Sequence, residues 1–121
     1  MSTDHDIEQE IQAKGLTAPR VTPSDIDANI VAESYFTASD GYNNTSMEPA
    51  CSGGEKEALS LLTFCVLVLR NGFTVTGESA CASPENFDAE VGRKIARANA
   101  VNKMWPLLGY ALKERLQTRP A

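Results

Sequence analysis

Apolar positions are most concentrated at residues 61–80, LLTFCVLVLRNGFTVTGESA. Two runs rich in β-branched and aromatic residues flank Asn71-Gly72. Asn-Gly between such runs is the strongest short-range hairpin signal, because both residues tolerate the positive φ of a type I′ turn. A two-residue loop sets Arg70 opposite Phe73, Val68 opposite Val75 and Val66 opposite Gly77. Phe64, Val66, Val68, Phe73 and Val75 then share one face. Cys65, Leu67 and Leu69 share the other with Thr74, Thr76 and Glu78. The first strand is apolar on both sides, so both faces need cover. The N-terminal helices or a neighbouring subunit could supply the second cover.

Helical spacing governs most of the remainder. Ile7 and Ile11 lie one turn apart behind an acidic first turn, which predicts a short helix over 4–14 ended by Gly15. Thr22-Pro23-Ser24-Asp25 is a helix start: Thr22 can cap, Pro23 fits the first helical position and Asp25 suits the dipole. Ile26 and Ile30, closed by Tyr35 or Phe36, predict a helix over 23–36. Residues 37–57 lose apolar periodicity and read as a flexible acidic and polar loop. Ser83-Pro84-Glu85-Asn86 opens a long helix to about Met104, with Ser83 or Asn86 as its cap. Phe87, Val91, Ile95, Ala98 and Val101 form its expected apolar stripe. Gly92, Ala96 and Ala100 repeat small side chains every fourth residue, which suits close approach of another backbone. Pro106 ends or kinks the helix, and 107–116 makes a last short one. Gly77, inside a strand pattern, marks a bulge or a close backbone approach.

These elements predict an α+β fold: N-terminal helical segments over 1–36, the loop over 37–57, and a hairpin–helix core over 58–117. The 121 residues suit one domain. A homo-oligomer that builds its second core face from a neighbour is the expected assembly.

Charge divides the chain. Residues 1–57 hold eleven acidic and three basic side chains, and 58–121 hold five and eight, within a net charge of −5. The acidic half argues against nucleic-acid binding, while the basic half can meet a small anion. Three cysteines without a CxxC pair and a single histidine, His5, give little basis for a zinc site, a disulfide framework or histidine catalysis. No metal or cofactor is expected. No apolar stretch is long enough to be a membrane span, and the cytoplasm is the expected location.

Arg93 and Arg97, spaced i,i+4, place two guanidinium groups on one helix side, where such forks can clamp a phosphate or carboxylate. Asn86 projects two turns earlier, and Phe73 at the hairpin tip offers a stacking surface. The plainer reading is a solvated helix on which Glu90 pairs with Arg93 or Lys94. Asp88 and Glu90, spaced i,i+2, diverge on a helix, so no acid–base pair is evident.

Taken together, NGF, VTGES, the Asn86-Phe87-Asp88 helix start, GRKIAR and WPLLGY over about 62–112 resemble a family of small tailed-phage accessory proteins, named after gene products forty-nine and sixty-six of two phages. VTPSDIDANIVAESYF at 21–36 is a weaker echo. The hairpin followed by a helix with arginines at i,i+4 is also similar to phage proteins that sequester the cyclic ADP-ribose signal of Thoeris immunity. That second resemblance implies a ligand held between subunits by an aromatic, an asparagine and two arginines. Residue by residue, it points to Phe73, Asn86, Arg93 and Arg97.

The expected function is therefore a non-enzymatic anti-defence sponge for a small phosphorylated signalling nucleotide, either a cyclic nucleotide or an ADP-ribose isomer. The alternative is a protein-interaction module whose acidic N-terminal half inhibits a host protein or serves phage assembly.

Overall fold

The computed structural model describes residues 3–44 and 53–118. Among these, helix α1 spans Thr3–Ala13 and α2 spans Pro23–Asn29. Strand β1, Ile30–Thr37, leads into α3, Ala38–Asn43. Helix α4, Gly53–Ser60, precedes strands β2, Leu62–Leu69, and β3, Thr74–Ala80. A single 3₁₀ turn at Pro84–Asn86 leads to α5, Ala89–Thr118. The architecture is α+β, with a three-stranded antiparallel sheet in the order β1-β2-β3.

Thr22 starts α2 as expected. Its hydroxyl accepts from the Asp25 amide, and the Asp25 carboxylate accepts from the Thr22 amide, a reciprocal cap stabilising by about 1 kcal/mol. The helix then stops seven residues before the expected end at 36. Ile30–Thr37 is a strand paired with β2, Tyr35 opposite Cys65 and Phe36 opposite Phe64. The segment IVAESYFT is β-branched and aromatic, and β2 offered an unpaired edge. Strand pairing therefore overrode the i,i+4 isoleucines. A second reciprocal cap, Thr37 with Asp40, starts α3. The expected loop over 37–57 thus contains α3 and the start of α4, while its residues 45–52 lie outside those described.

The hairpin is present, shifted by one residue from the expected register. Val68 faces Thr74, Leu67 faces Val75 and Cys65 faces Gly77. The Leu69 amide donates to the Phe73 carbonyl and the Gly72 amide to the Leu69 carbonyl, leaving Arg70, Asn71 and Gly72 as a three-residue loop. Only Gly72 takes positive φ, at 90°, so the turn is not type I′. It has the form of a three-residue hairpin with glycine at its last position. The shift exchanges the faces of β3. Val75 and Gly77 now join Cys65, Leu67 and Leu69 on the buried side, and Thr74, Thr76 and Glu78 face outward.

Helix α5 covers that buried side. Asp88, rather than Ser83 or Asn86, caps it, its carboxylate accepting from the Val91 amide. The helix runs unbroken through Pro106. Its buried line is Gly92, Ala96, Ala100 and Met104, the small-residue repeat, and not the expected stripe. Val91 and Ile95 are 51% and 46% exposed. The cause is Gly77: a Cβ there would stand 2.2 Å from the Ala96 carbonyl oxygen and 2.3 Å from the Ala100 amide nitrogen. Sheet and helix backbones touch at that point, so only small side chains fit between them, and the branched residues of α5 are turned outward. Beyond this contact Met104 and Leu67 are fully buried, each worth about 2–3 kcal/mol of apolar transfer.

Candidate functional site

Helix α5 starts beside the open end of the hairpin and runs toward its tip. Gly92 lies against Thr63 near the start of β2, and Leu107, Leu108 and Leu112 reach the tip with Leu69 and Phe73. This direction separates the residues singled out by spacing. Phe73 stands at the tip, 57% exposed. Asn86 is exposed in the 3₁₀ turn at the opposite end. The length of β3 lies between them, roughly 20 Å at strand rise. One chain therefore does not bring Phe73 and Asn86 to a common ligand.

Arg93 and Arg97 do share a side of α5, and their surroundings differ. Arg93 is exposed, with no hydrogen bond or ion pair to another described residue. Arg97 is half-buried and turned to β1. Its Nε and Nη2 donate to the two oxygens of Glu33 at 3.1 and 3.3 Å, and Nη2 stands 3.8 Å from Asp27. The Tyr35 hydroxyl also donates to Glu33, at 2.6 Å. The Arg97 bond, with Tyr35 second, holds the Glu33 carboxyl below the usual carboxylate range. The same Glu33 bond raises the Arg97 guanidinium. Tyr35 is pushed up, first by burial and then by the hydrogen bond it gives Glu33. Within one chain Arg97 thus joins α5 to β1 and α2. Two carboxylates, Glu33 and Asp27, face the Arg97 guanidinium on that flank.

Positive charge converges elsewhere. A groove of about 750 Å³ lies between α2, the hairpin tip and the last turns of α5. Arg20, Arg70 and Arg115 line it with Phe73, Asn29 and Asn71, over an apolar floor of Leu69, Leu107, Leu108 and Leu112. Its volume is in the range of small-molecule sites. Asp25 is its one acidic lining residue, and Glu8 is bonded to Arg20. Three guanidinium groups against these two carboxylates leave a net positive charge on a chain of −5.

The groove arginines are held in different ways. The Arg70 Nη2 donates to the Ala28 carbonyl at 2.9 Å, and its backbone amide meets Asn29 Oδ1 at 3.3 Å. The side chain is therefore placed by a neutral acceptor and has no ion pair with another described residue. Arg115 is exposed in the final turn of α5. Arg20 is tied to Glu8 through both terminal nitrogens. An aromatic face, amide side chains and guanidinium groups beside an apolar floor suit a planar, anionic molecule.

Spacing could not find Arg20, Arg70 and Arg115, because they stand in a connector, a turn and a helix end. The one available signal was Arg70 within three residues of Phe73. Cys65 is buried, with its thiol pushed up by burial, and Cys81 is half-buried. Among the described residues no group of side chains has the makings of a metal site. No helix among them is long and apolar enough to cross a membrane.

The sequence model of the family described as Phage protein (N4 Gp49/phage Sf6 gene 66) matches residues 21–116. Neither a curated protein sequence nor a solved structure matches the chain.

Proposed function

The chain belongs to the N4 Gp49/phage Sf6 gene 66 family of phage proteins, and we propose that it is a non-enzymatic binder of a small phosphorylated ligand. The observation that carries the reading is the groove: three arginines, Phe73 and two asparagines around one concavity of nucleotide size. Arg70 and Arg115 meet phosphate oxygens, Phe73 stacks on a base, and Asn29 or Asn71 reads polar edges. In a phage protein such binding serves anti-defence. Removing a free cyclic nucleotide or ADP-ribose isomer from the host cytoplasm starves an immune effector by mass action, and no chemistry is needed.

Self-association is part of the same reading. Val91 and Ile95, half-exposed on the flank of α5 away from Arg97, are the apolar surface that a second copy would cover. Light scattering of the purified protein checks it, and a monomer at high concentration removes it.

A thermal-shift panel of cyclic di- and trinucleotides and ADP-ribose isomers tests the function. At a hundredfold excess over Kd a true ligand stabilises by about 2.7 kcal/mol. Arg70→Ala with Arg115→Ala should weaken that ligand at least roughly tenfold by calorimetry, the worth of one charge-assisted bond. Binding lost instead in Arg93→Ala or Arg97→Ala, and untouched at the groove, moves the site to α5 and overturns the groove assignment. A panel with no ligand overturns the function. Mass spectrometry should recover the released ligand unchanged, and an altered ligand would make the protein an enzyme.

A further inference from the structure

Helix α1 has no buried residue. Polar links tie it to the rest of the chain. The Trp105 indole N–H donates to Asp4 Oδ2 at 3.2 Å, and Arg20 gives its two terminal nitrogens to the two oxygens of Glu8. Near these links Ile7 and Ile11 line a small cleft of about 210 Å³ with Val21, Pro23 and Trp105. A helix of 11 residues is not stable in water without packing, so its order depends on its contacts with the rest of the chain.

The Glu8–Arg20 link is the more sheltered kind of ion pair, its side chains 14% and 25% exposed. Gln12 donates to the same carboxylate at 2.7 Å and holds it in place. Arg20 belongs to the groove as well. Both ends of its fork are already committed to a carboxylate carried by α1. An oxyanion entering the groove and taking the end-on edge of Arg20, the Nη1 and Nη2 hydrogens that Glu8 holds, must displace Glu8, because that edge accommodates one bidentate partner. Helix α1 also lies outside the segment shared with the family, which begins at residue 21. Whatever α1 does is a property of this chain rather than of that segment.

We infer that α1 is a displaceable strap: Glu8 serves as a built-in counter-anion for the groove, and ligand phosphate competes with it for Arg20. Binding and α1 release are then two sides of one equilibrium. Anything that weakens Glu8–Arg20 tightens the ligand, and the ligand loosens α1. The inference rests on the groove being the binding site, and it adds the regulation of that site.

The neutral variant Glu8→Gln separates the two. It keeps the size of the side chain and removes the competing charge. Titration of wild type, Glu8→Gln and Arg70→Ala with ADP-ribose, with inorganic pyrophosphate alongside, is followed by calorimetry. Amide hydrogen exchange of residues 3–13 is followed by mass spectrometry with and without the same probes. Glu8→Gln should bind roughly tenfold tighter than wild type, the exchange of one charge-assisted bond. Saturating probe should speed exchange across α1 in the wild type and make little difference in Glu8→Gln, where α1 is already loose. Affinity equal to wild type in Glu8→Gln, with α1 exchange unchanged by a probe whose binding falls in Arg70→Ala, overturns the strap and keeps the groove. Wild type that binds neither probe, nor any member of the thermal-shift panel, overturns the two together. Pyrophosphate binding as well as ADP-ribose would show that the phosphates alone supply the displacement. Only ADP-ribose doing so would add Phe73 stacking to the requirement.

Discussion

Replacing Gly77 with alanine adds one methyl group at the point where β3 and α5 touch. The new Cβ would stand 2.2 Å from the Ala96 carbonyl oxygen, 2.3 Å from the Ala100 amide nitrogen and 2.9 Å from the Ala100 Cα. All three are backbone atoms of a helix, so no rotamer change relieves the contact. The backbone of Gly77 lies outside the left-handed region, so the cost is steric and owes nothing to φ. Relief requires α5 to lift by about 1 Å along its central turns. That movement opens the contacts of Ala96, Ala100, Cys65 and Leu67, all at 0% exposure. Overpacking alone costs about 1–3 kcal/mol, and separating a close-packed interface forfeits further dispersion energy. A loss of at least about 3 kcal/mol is expected, out of a total of about 5–15. For a domain of this size that is a fall in Tm of roughly 10 °C. Equilibrium urea unfolding followed by circular dichroism measures it, with the m-value checked for constancy.

Gly92→Ala is the internal control. Its Cβ meets the Thr63 side chain, the hydroxyl oxygen at 3.1 Å and the Cβ at 3.7 Å, and alanine gains about 1 kcal/mol of helix propensity. Its net change should stay within about 1 kcal/mol. A loss below about 1 kcal/mol in Gly77→Ala, or equal losses in the two variants, would refute the backbone-contact account of how α5 is seated.

Gly72→Ala places a Cβ at φ 90° with open space around it. It should cost about 1 kcal/mol from backbone strain alone, read by the same unfolding assay. Acid should release α1 before the core. The Glu8 carboxyl is held down to about 2 from an ordinary 4.5, chiefly by its bond to Arg20 and then by Gln12. A lowered folded-state pKa contributes stability above the unfolded value and loses it as pH falls through the folded one. Exchange of α1 amides, corrected for intrinsic rate, should therefore rise between about pH 4.5 and 2 and be flat above 5. Glu8→Gln should abolish that rise.

Local chemistry was legible wherever it was self-sufficient. Thr22-Pro23-Ser24-Asp25 starts α2 because its cap closes within four residues, and Asn71-Gly72 marks the turn because glycine is needed there. The misreadings have a common cause. Ile30–Thr37 became a strand because β2 was there to pair with it, which Ile26 and Ile30 cannot report. The hairpin register depended on whether one or two loop residues take positive φ. One did, so every side chain of β3 changed face. The choice between two possible buried lines on α5 was made by Gly77, which demands small side chains opposite.

The sites followed the same rule. The i,i+4 spacing of Arg93 and Arg97 does put both on one side of α5, since helix geometry fixes that. It could not say that Glu33 and Asp27 would stand opposite Arg97, because those carboxylates arrive on β1 and α2. Likewise Arg20, Arg70 and Arg115 are far apart along the chain and meet only once α2, the hairpin tip and the end of α5 have docked. By itself the sequence determined where α2 begins, where the hairpin turns and which family the chain belongs to, because those depend on neighbours a few residues away. The sheet partner of Ile30–Thr37, the buried face of α5 and the place where positive charge collects were decided by the tertiary structure, because each is set by contacts between segments that only packing brings together.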